Sequence, residues 1–203
     1  MSAKAKAIFL DRDGVLNRMV YDENHGIMDS PRRIEQLSPM PGARELLARA
    51  KGLGFLRVIV TNQPGIAKGT LTFAELDRLH AALSDMLSDA SEAWDACYVC
   101  PNHPDGGATD ERKKYAIRCN DRKPAPGMLL RAARALNIDL AQSWMVGDGI
   151  VDVQAGQAAG CRTMLVTKLK PEIVSRLFEL KIEPNVYAPD LQAVIRHLEE
   201  ENR

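Results

Sequence analysis

Two acids close an apolar run near the start of this 203-residue chain: in AIFLDRDGVLN, residues 7–17, Asp11 and Asp13 directly follow four apolar side chains. Side chains two apart in an extended segment project to the same side, so the two carboxylates are expected to converge on one volume. Like charges held that close repel unless a cation neutralises them or one keeps a proton. A hard divalent ion such as Mg²⁺, bound by a few carboxylates and a substrate phosphate, resolves the conflict. Gly14 then lets the chain turn against whatever is bound. The plainer alternative is an Asp-Gly turn with solvated acids.

Three further stretches carry groups of the same chemistry. VTNQPGIAKG, residues 60–69, offers the Thr61 hydroxyl and the Asn62 and Gln63 amides as neutral donors for phosphate oxygens, although the same run is ordinary turn composition. DRKPAPG, residues 121–127, sets Arg122 and Lys123 just ahead of a helix start. An ammonium there would offset gathered negative charge, and the forked guanidinium of Arg122 suits a second anionic group; the alternative is a pair of solvated cations. MVGDGIVDVQAG, residues 145–156, presents Asp148 where a third metal ligand is needed. Asp152, four residues on, either orients Asp148 or Lys123 or is a favourable charge in the first turn of a helix.

The elements that must position these groups are legible as periodicity. Continuous apolar runs at 7–10, 56–61, 96–99, 144–146 and 163–166 read as strands buried on both faces. Between them, 42–53, 73–90, 126–137 and 151–159 carry apolar residues at three- and four-residue spacing and read as helices, with 191–200 as a terminal helix. Thr72 is the expected N-cap of the second, and Pro126-Gly127 opens the third. The β-α-β-α order predicts an α/β fold, a doubly wound parallel sheet with helices on both faces. Ligands of such sheets bind beyond the carboxyl ends of the strands, which is where all four stretches fall.

Composition bounds the rest. The length fits a single domain over residues 1–203. Lys+Arg and Asp+Glu both number 27, which argues against nucleic acid as a partner. Four cysteines make no disulfide scaffold, so a reducing cytoplasm is expected. The N-terminal apolar run is too short for a signal peptide, and none approaches the roughly 20 residues of a membrane helix. A monomer is expected. The polar, Gly- and Pro-broken stretches 18–38 and 100–121 leave the same sheet edge and could shape a pocket.

Taken together, these residues resemble the haloacid dehalogenase (HAD) superfamily of phosphohydrolases. DRDGVLN matches its first motif, VTNQPG its second, RKP its third and GDGIVD its fourth, over about residues 7–166. FLDRDGVLN, TNQPGIAKG, CPNHP and RKPAPGM are similar to the branch that holds heptose-bisphosphate and histidinol-phosphate phosphatases. The resemblance implies a HAD-like Rossmannoid fold with no large cap domain and with loops 18–38 and 100–121 over the active site. It implies a Mg²⁺-dependent phosphomonoesterase for a small phosphorylated metabolite. A heptose bisphosphate is the first choice, with histidinol phosphate or another sugar phosphate as alternatives. Asp11 would be the nucleophile and Asp13 the general acid/base. Mg²⁺ would be held by Asp11, Asp148 and the backbone carbonyl of Asp13. Thr61 and Lys123 would bind the transferred phosphoryl group, with Asn62, Gln63 and Arg122 completing the substrate site and Asp152 behind them.

The chain departs from that branch in two ways. Its zinc loop has the form Cys-x-His followed by Cys-x-Cys, whereas the corresponding residues here are Cys100, Asn102, Cys119 and Asp121. Cys100, His103, Cys119 and Asp121 could supply a Zn²⁺ tetrahedron, or the loop packs without metal. The stretch 18–37 is longer than the substrate loop expected, and Gly149 stands where a lysine is expected. A two-component receiver domain is the competing phospho-aspartate fold, but it needs an acid after the third strand, where this chain has Cys100-Pro101. A non-catalytic sugar-phosphate binding module would tolerate loss of Asp11 or Asp13, and both are present.

Overall fold

Every residue of strand β1, Ala7–Leu10, is buried, and its side chains alternate between two cores. Ile8 and Leu10 pack into one apolar cluster, Ala7 and Phe9 into another on the opposite face of the sheet. A strand with helices on both sides has no solvent face, which is why its sequence is continuously apolar. The computed structural model describes residues 3–23, 26–88, 92–107, 109–168 and 171–203.

In chain order, β1 is followed by β2 (Val20–Asp22), β3 (Ile27–Asp29), α1 (Ala43–Gly52), β4 (Leu56–Asn62), α2 (Gly65–Lys68), α3 (Phe73–Leu87) and β5 (Ala96–Cys100). Then come α4 (Gly127–Ala135), β6 (Trp144–Gly147), α5 (Ile150–Ala159), β7 (Arg162–Val166), α6 (Pro171–Leu180), β8 (Val186–Ala188) and α7 (Leu191–Glu201). Six strands form one parallel sheet in the order β5-β4-β1-β6-β7-β8. Leucines of α1 and α3 and the apolar face of α7 share the first core. Met128, Leu129 and Ala132 of α4 and Ala155 and Ala159 of α5 share the second. This is the doubly wound α/β architecture that the sequence predicts, with β1, β4 and β6 at its centre.

The expected caps are present. Thr72 closes a capping box on α3, its Oγ1 accepting from Glu75 N–H at 3.2 Å while Glu75 Oε2 accepts from Thr72 N–H at 2.8 Å. Two expectations on helix extent and one on a loop need correction. The 73–90 helix ends at Leu87, with Ser88 extended, and 89–90 lie outside the described residues. The 126–137 helix ends at Ala135, and Asn137 turns the chain with a φ of 51°. The stretch 18–38 is not structureless, since β2 and β3 pair antiparallel within it. Helix α6 and strand β8 were not expected: α6 buries only Leu177, and β8 is a three-residue edge, so neither carries a strong period. Among the described residues no helix is long and apolar enough to cross a membrane.

Candidate active site

At the carboxyl tips of β1 and β6, carboxylate oxygens of Asp11, Asp148 and Asp152 lie within 4.8 Å of one another. Glycines make the room. A Cβ on Gly14, at φ 92°, would sit 2.0 Å from an Asp148 oxygen, and one on Gly147 would sit 2.1 Å from the Asp152 Cβ. Asp152 lies in the first turn of α5, where its Oδ2 accepts the Gly149 N–H at 3.0 Å. Burial pushes the Asp11 carboxyl up to about 7 despite the pull of Lys123, and the neighbouring carboxylates add to the rise. Asp148 is pushed up to about 6, by burial first and by the Asp152 charge next.

Lys123 is the counter-charge. Its Nζ lies 2.8 Å from the Val60 carbonyl, 3.0 Å from Asp11 and 2.6 Å from Asp152, so all three ammonium protons have acceptors. Burial alone would lower the Lys123 pKa; the Asp11 and Asp152 carboxylates outweigh it and raise the ammonium above its usual value. The backbone of Lys123 is clamped as well. Asn62 Oδ1 accepts its N–H and Asn62 Nδ2 donates to its carbonyl, both at 3.1 Å.

Asp13 lies beside this group but outside it. Its carboxylate is taken by the buried Arg12, which donates from Nε to Oδ1 at 3.0 Å and from Nη2 to Oδ2 at 2.7 Å. Gln63 Nε2 donates to Asp13 Oδ2 and to Thr61 Oγ1, each at 3.0 Å. The expectation that the two motif acids converge on one volume is therefore corrected: Asp11 faces Lys123 and Asp13 faces Arg12. The expectation that Asn62 and Gln63 offer free donors is corrected too, because Asn62 braces Lys123 and both amide protons of Gln63 are committed. Thr61 is buried, and its hydroxyl accepts from Gln63.

Sequence reading missed Arg12 and His80. An arginine lodged between two acids at the end of a buried strand was the available signal for the first. His80 occupies the apolar face of α3, spaced with Leu76 and Leu83. Its Nε2 lies 3.2 Å from Arg12 Nη1, and its Nδ1 is 3.8 Å from the Cys97 sulfur. Burial, with the Arg12 charge behind it, pulls the imidazole down to about 4.

Among the described residues, the cysteine loop gathers no metal site. The Cys100 and Cys119 sulfurs are 3.5 Å apart, and Asn102 Oδ1 accepts from both thiols. His103 Nδ1 instead accepts the Asp105 N–H at 3.1 Å, and Asp121 pairs with Arg131 at 3.2 Å. The set Cys100, His103, Cys119 and Asp121 therefore does not converge on a Zn²⁺ tetrahedron. The physical reason is Asn102, a neutral acceptor that holds thiols in their protonated form, while burial pushes the Cys100 thiol up to about 12. Arg122 turns to this loop, with Nη1 donating to the Asn102 carbonyl at 3.0 Å. A cleft of about 500 Å³, lined by residues that include Tyr21, Arg32, Arg33 and Thr70, opens beside the β2–β3 pair rather than over Asp11.

The carboxylate group fits a divalent cation. When ionised, Asp11, Asp13, Asp148 and Asp152 are paired, among the described residues, with Arg12 and Lys123, which leaves two negative charges on oxygen donors suited to Mg²⁺.

Comparison with known proteins points the same way. The HAD-hydrolase-like family model matches residues 120–194. A D-glycero-beta-D-manno-heptose-1,7-bisphosphate 7-phosphatase of Yersinia pestis is 39% identical over 83% of this chain and 83% of its own length. One of Pasteurella multocida with the same name is 41% identical over 82% and 84%. Among solved structures, the D,D-heptose 1,7-bisphosphate phosphatase of B. bronchiseptica, in complex with magnesium and phosphate, is 32% identical. It covers 97% of this chain and 99% of its own, with a TM-score of 0.77.

Proposed function

The chain belongs to the HAD-like hydrolases, and from that premise we propose that it is a Mg²⁺-dependent phosphatase that removes the 7-phosphate of a D-glycero-D-manno-heptose-1,7-bisphosphate. The observation that carries this reading is the group of half-buried Asp11 and Asp148 and buried Asp152 with Lys123 inserted among them. The names of the relatives supply the substrate.

In this reading Asp11 attacks phosphorus in line. A bond forms from its carboxylate oxygen to phosphorus as the bond to the sugar oxygen breaks, giving an aspartyl-phosphate. Asp13 supplies the proton to the departing alkoxide and later takes one from the water that splits the acyl phosphate. Because Arg12 holds both Asp13 oxygens, the acid–base step requires one of them to leave the guanidinium and face the substrate. Lys123, whose ammonium must exchange one of its present acceptors for substrate, and the Thr61 hydroxyl bind the oxygens of the transferred phosphoryl group, and Arg122 steers the phosphate that stays. Bound Mg²⁺, held by Asp11, Asp148 and the Asp13 carbonyl, supplies Lewis-acid neutralisation of the phosphoryl charge. Asp152 is left to hold Lys123 and the start of α5.

The whole chain acts as one domain, with loops 18–38 and 100–121 covering the site in place of a cap. It works as a cytoplasmic monomer without nucleic acid or membrane; the equal numbers of basic and acidic residues support the absence of nucleic acid, and the four unpaired cysteines support the reducing compartment. The experiment is phosphate release from heptose-1,7-bisphosphates, histidinol phosphate and common sugar phosphates, each with Mg²⁺ and with chelator. Mg²⁺-dependent preference for a heptose bisphosphate is expected. Preference for histidinol phosphate would move the chain to the other activity of the branch.

A further inference from the structure

Asn62 stands directly after Thr61 in a run whose neutral donors invite a substrate role, yet its side chain is spent elsewhere. Lys123 N–H can only donate and Lys123 C=O can only accept, so the two 3.1 Å contacts fix which end of the Asn62 amide faces which group. The side chain thus copies one rung of a sheet ladder, at the place where β4 ends and the chain of residues 119–127 passes it. The same lysine sends its Nζ back along β4 to the Val60 carbonyl at 2.8 Å. Lys123 is therefore tied to β4 at its backbone by Asn62 and at its tip by Val60, with Asp11 and Asp152 on the remaining protons.

We infer that Asn62 is a positioning residue, one that acts on the phosphoryl-transfer step through Lys123 and does not touch the substrate. The inference rests on the phosphatase reading for its effect on rate, while the clamp stands on geometry alone. A charge delivered about an ångström off target costs on the order of 100-fold in rate. Loss of the clamp lets the Lys123 backbone, and with it the ammonium, shift by that order.

The test is a double-mutant cycle on the full-length protein with saturating Mg²⁺, using wild type, Asn62→Ala, Lys123→Ala and the double variant. Asn62→Ala is expected to lower kcat by roughly 30-fold with KM changed by less than about twofold. In the Lys123→Ala background the same change is expected to cost less than about twofold more, because the effect passes through the missing lysine. Full multiplication of the two losses, or a rise in KM at unchanged kcat, would overturn the inference and make Asn62 a substrate ligand. Asn62→Asp keeps the shape and the acceptor for Lys123 N–H but loses the donor, so it should fall between wild type and Asn62→Ala; it runs the same cycle if the alanine variant does not fold.

A second readout needs no turnover. The Lys123 side chain is 1% exposed, so reductive methylation followed by peptide mass spectrometry should leave it unlabelled in wild type and labelled in folded Asn62→Ala. Equal protection in both would overturn the clamp. A wild type that hydrolyses no sugar phosphate would instead sink the phosphatase reading, with the methylation result still deciding on Asn62.

Discussion

Two regions of this molecule assemble candidate metal ligands from separate elements, and only one succeeds. At the tips of β1 and β6 three carboxylates come within 4.8 Å. In the loop of residues 100–121, two sulfurs meet at 3.5 Å while His103 and Asp121 bond to other partners. The first set hangs on neighbouring strands whose register is fixed, with Leu10 beside Val146, so the residues that follow are delivered to one place. In the second set only Cys100 has a register, at the end of β5 opposite Asn62; the other donors hang on a loop, where each is free to satisfy its nearest neighbour. A ligand set converges when the sheet positions it, and fails to when a residue such as Asn102 offers the cysteines something else.

That contrast predicts unequal consequences. Asp148→Asn should lower kcat by roughly 1,000-fold and abolish the rise in melting temperature with Mg²⁺, whereas Cys119→Ser should leave steady-state rates within about twofold. Comparable losses from both would erase the distinction. Chelators sharpen it further: a general chelator of divalent ions should silence the enzyme and Mg²⁺ restore it, while a zinc-selective chelator should change nothing. Because Asp11 holds a proton up to about pH 7 in the metal-free site, Mg²⁺ and the proton compete, and Mg²⁺ titrations should show weaker binding at pH 6 than at pH 8.

The layer behind the carboxylates predicts a pH effect on stability. The unfolded chain protonates His80 near 6.5 and the folded one only near 4, so the unfolded state binds more protons between these values. The His80 contribution to stability should therefore be constant above pH 6.5 and fall as pH drops through that window, by on the order of 2 kcal/mol at pH 4.5, while the raised Asp11 and Asp148 carboxyls contribute with the opposite sign. The His80 part is read as the difference in melting temperature between wild type and His80→Gln, which should shift against the wild type as pH drops through the same window. Milder than the loss at Asp148 is that of the brace on Asp13: Gln63→Leu should cost roughly 10-fold in kcat with KM little changed, since Arg12 still holds both oxygens.

How much of this was legible in the sequence follows a physical line. Strand tips were readable, because buried strands announce themselves as apolar runs and the residue after the run must face the sheet edge. Asp11, Thr61 and Asp148 were found that way, and Lys123 by its place just ahead of a helix start. Which neighbour claims each proton was not readable. Asp13 turning to Arg12, Gln63 bridging Thr61 and Asp13, and Asn62 closing on the Lys123 backbone depend on contacts between residues far apart in sequence. The β2–β3 pair escaped because two three-residue strands with exposed Tyr21, Ile27 and Met28 show no clean alternation. Asp152 was read as one of two roles, and it fills both, since one oxygen meets Lys123 and the other the first turn of α5.

The central claim is that Asp11 becomes covalently phosphorylated. The most direct measurement is rapid acid quench of wild type turning over heptose bisphosphate with Mg²⁺, followed by peptide mapping for a phosphoryl group. The account predicts that group on the peptide carrying Asp11, chased away by time and absent in Asp11→Asn. Turnover with no phosphorylated aspartate at any quench time, or a phosphoryl group on another residue, would contradict it.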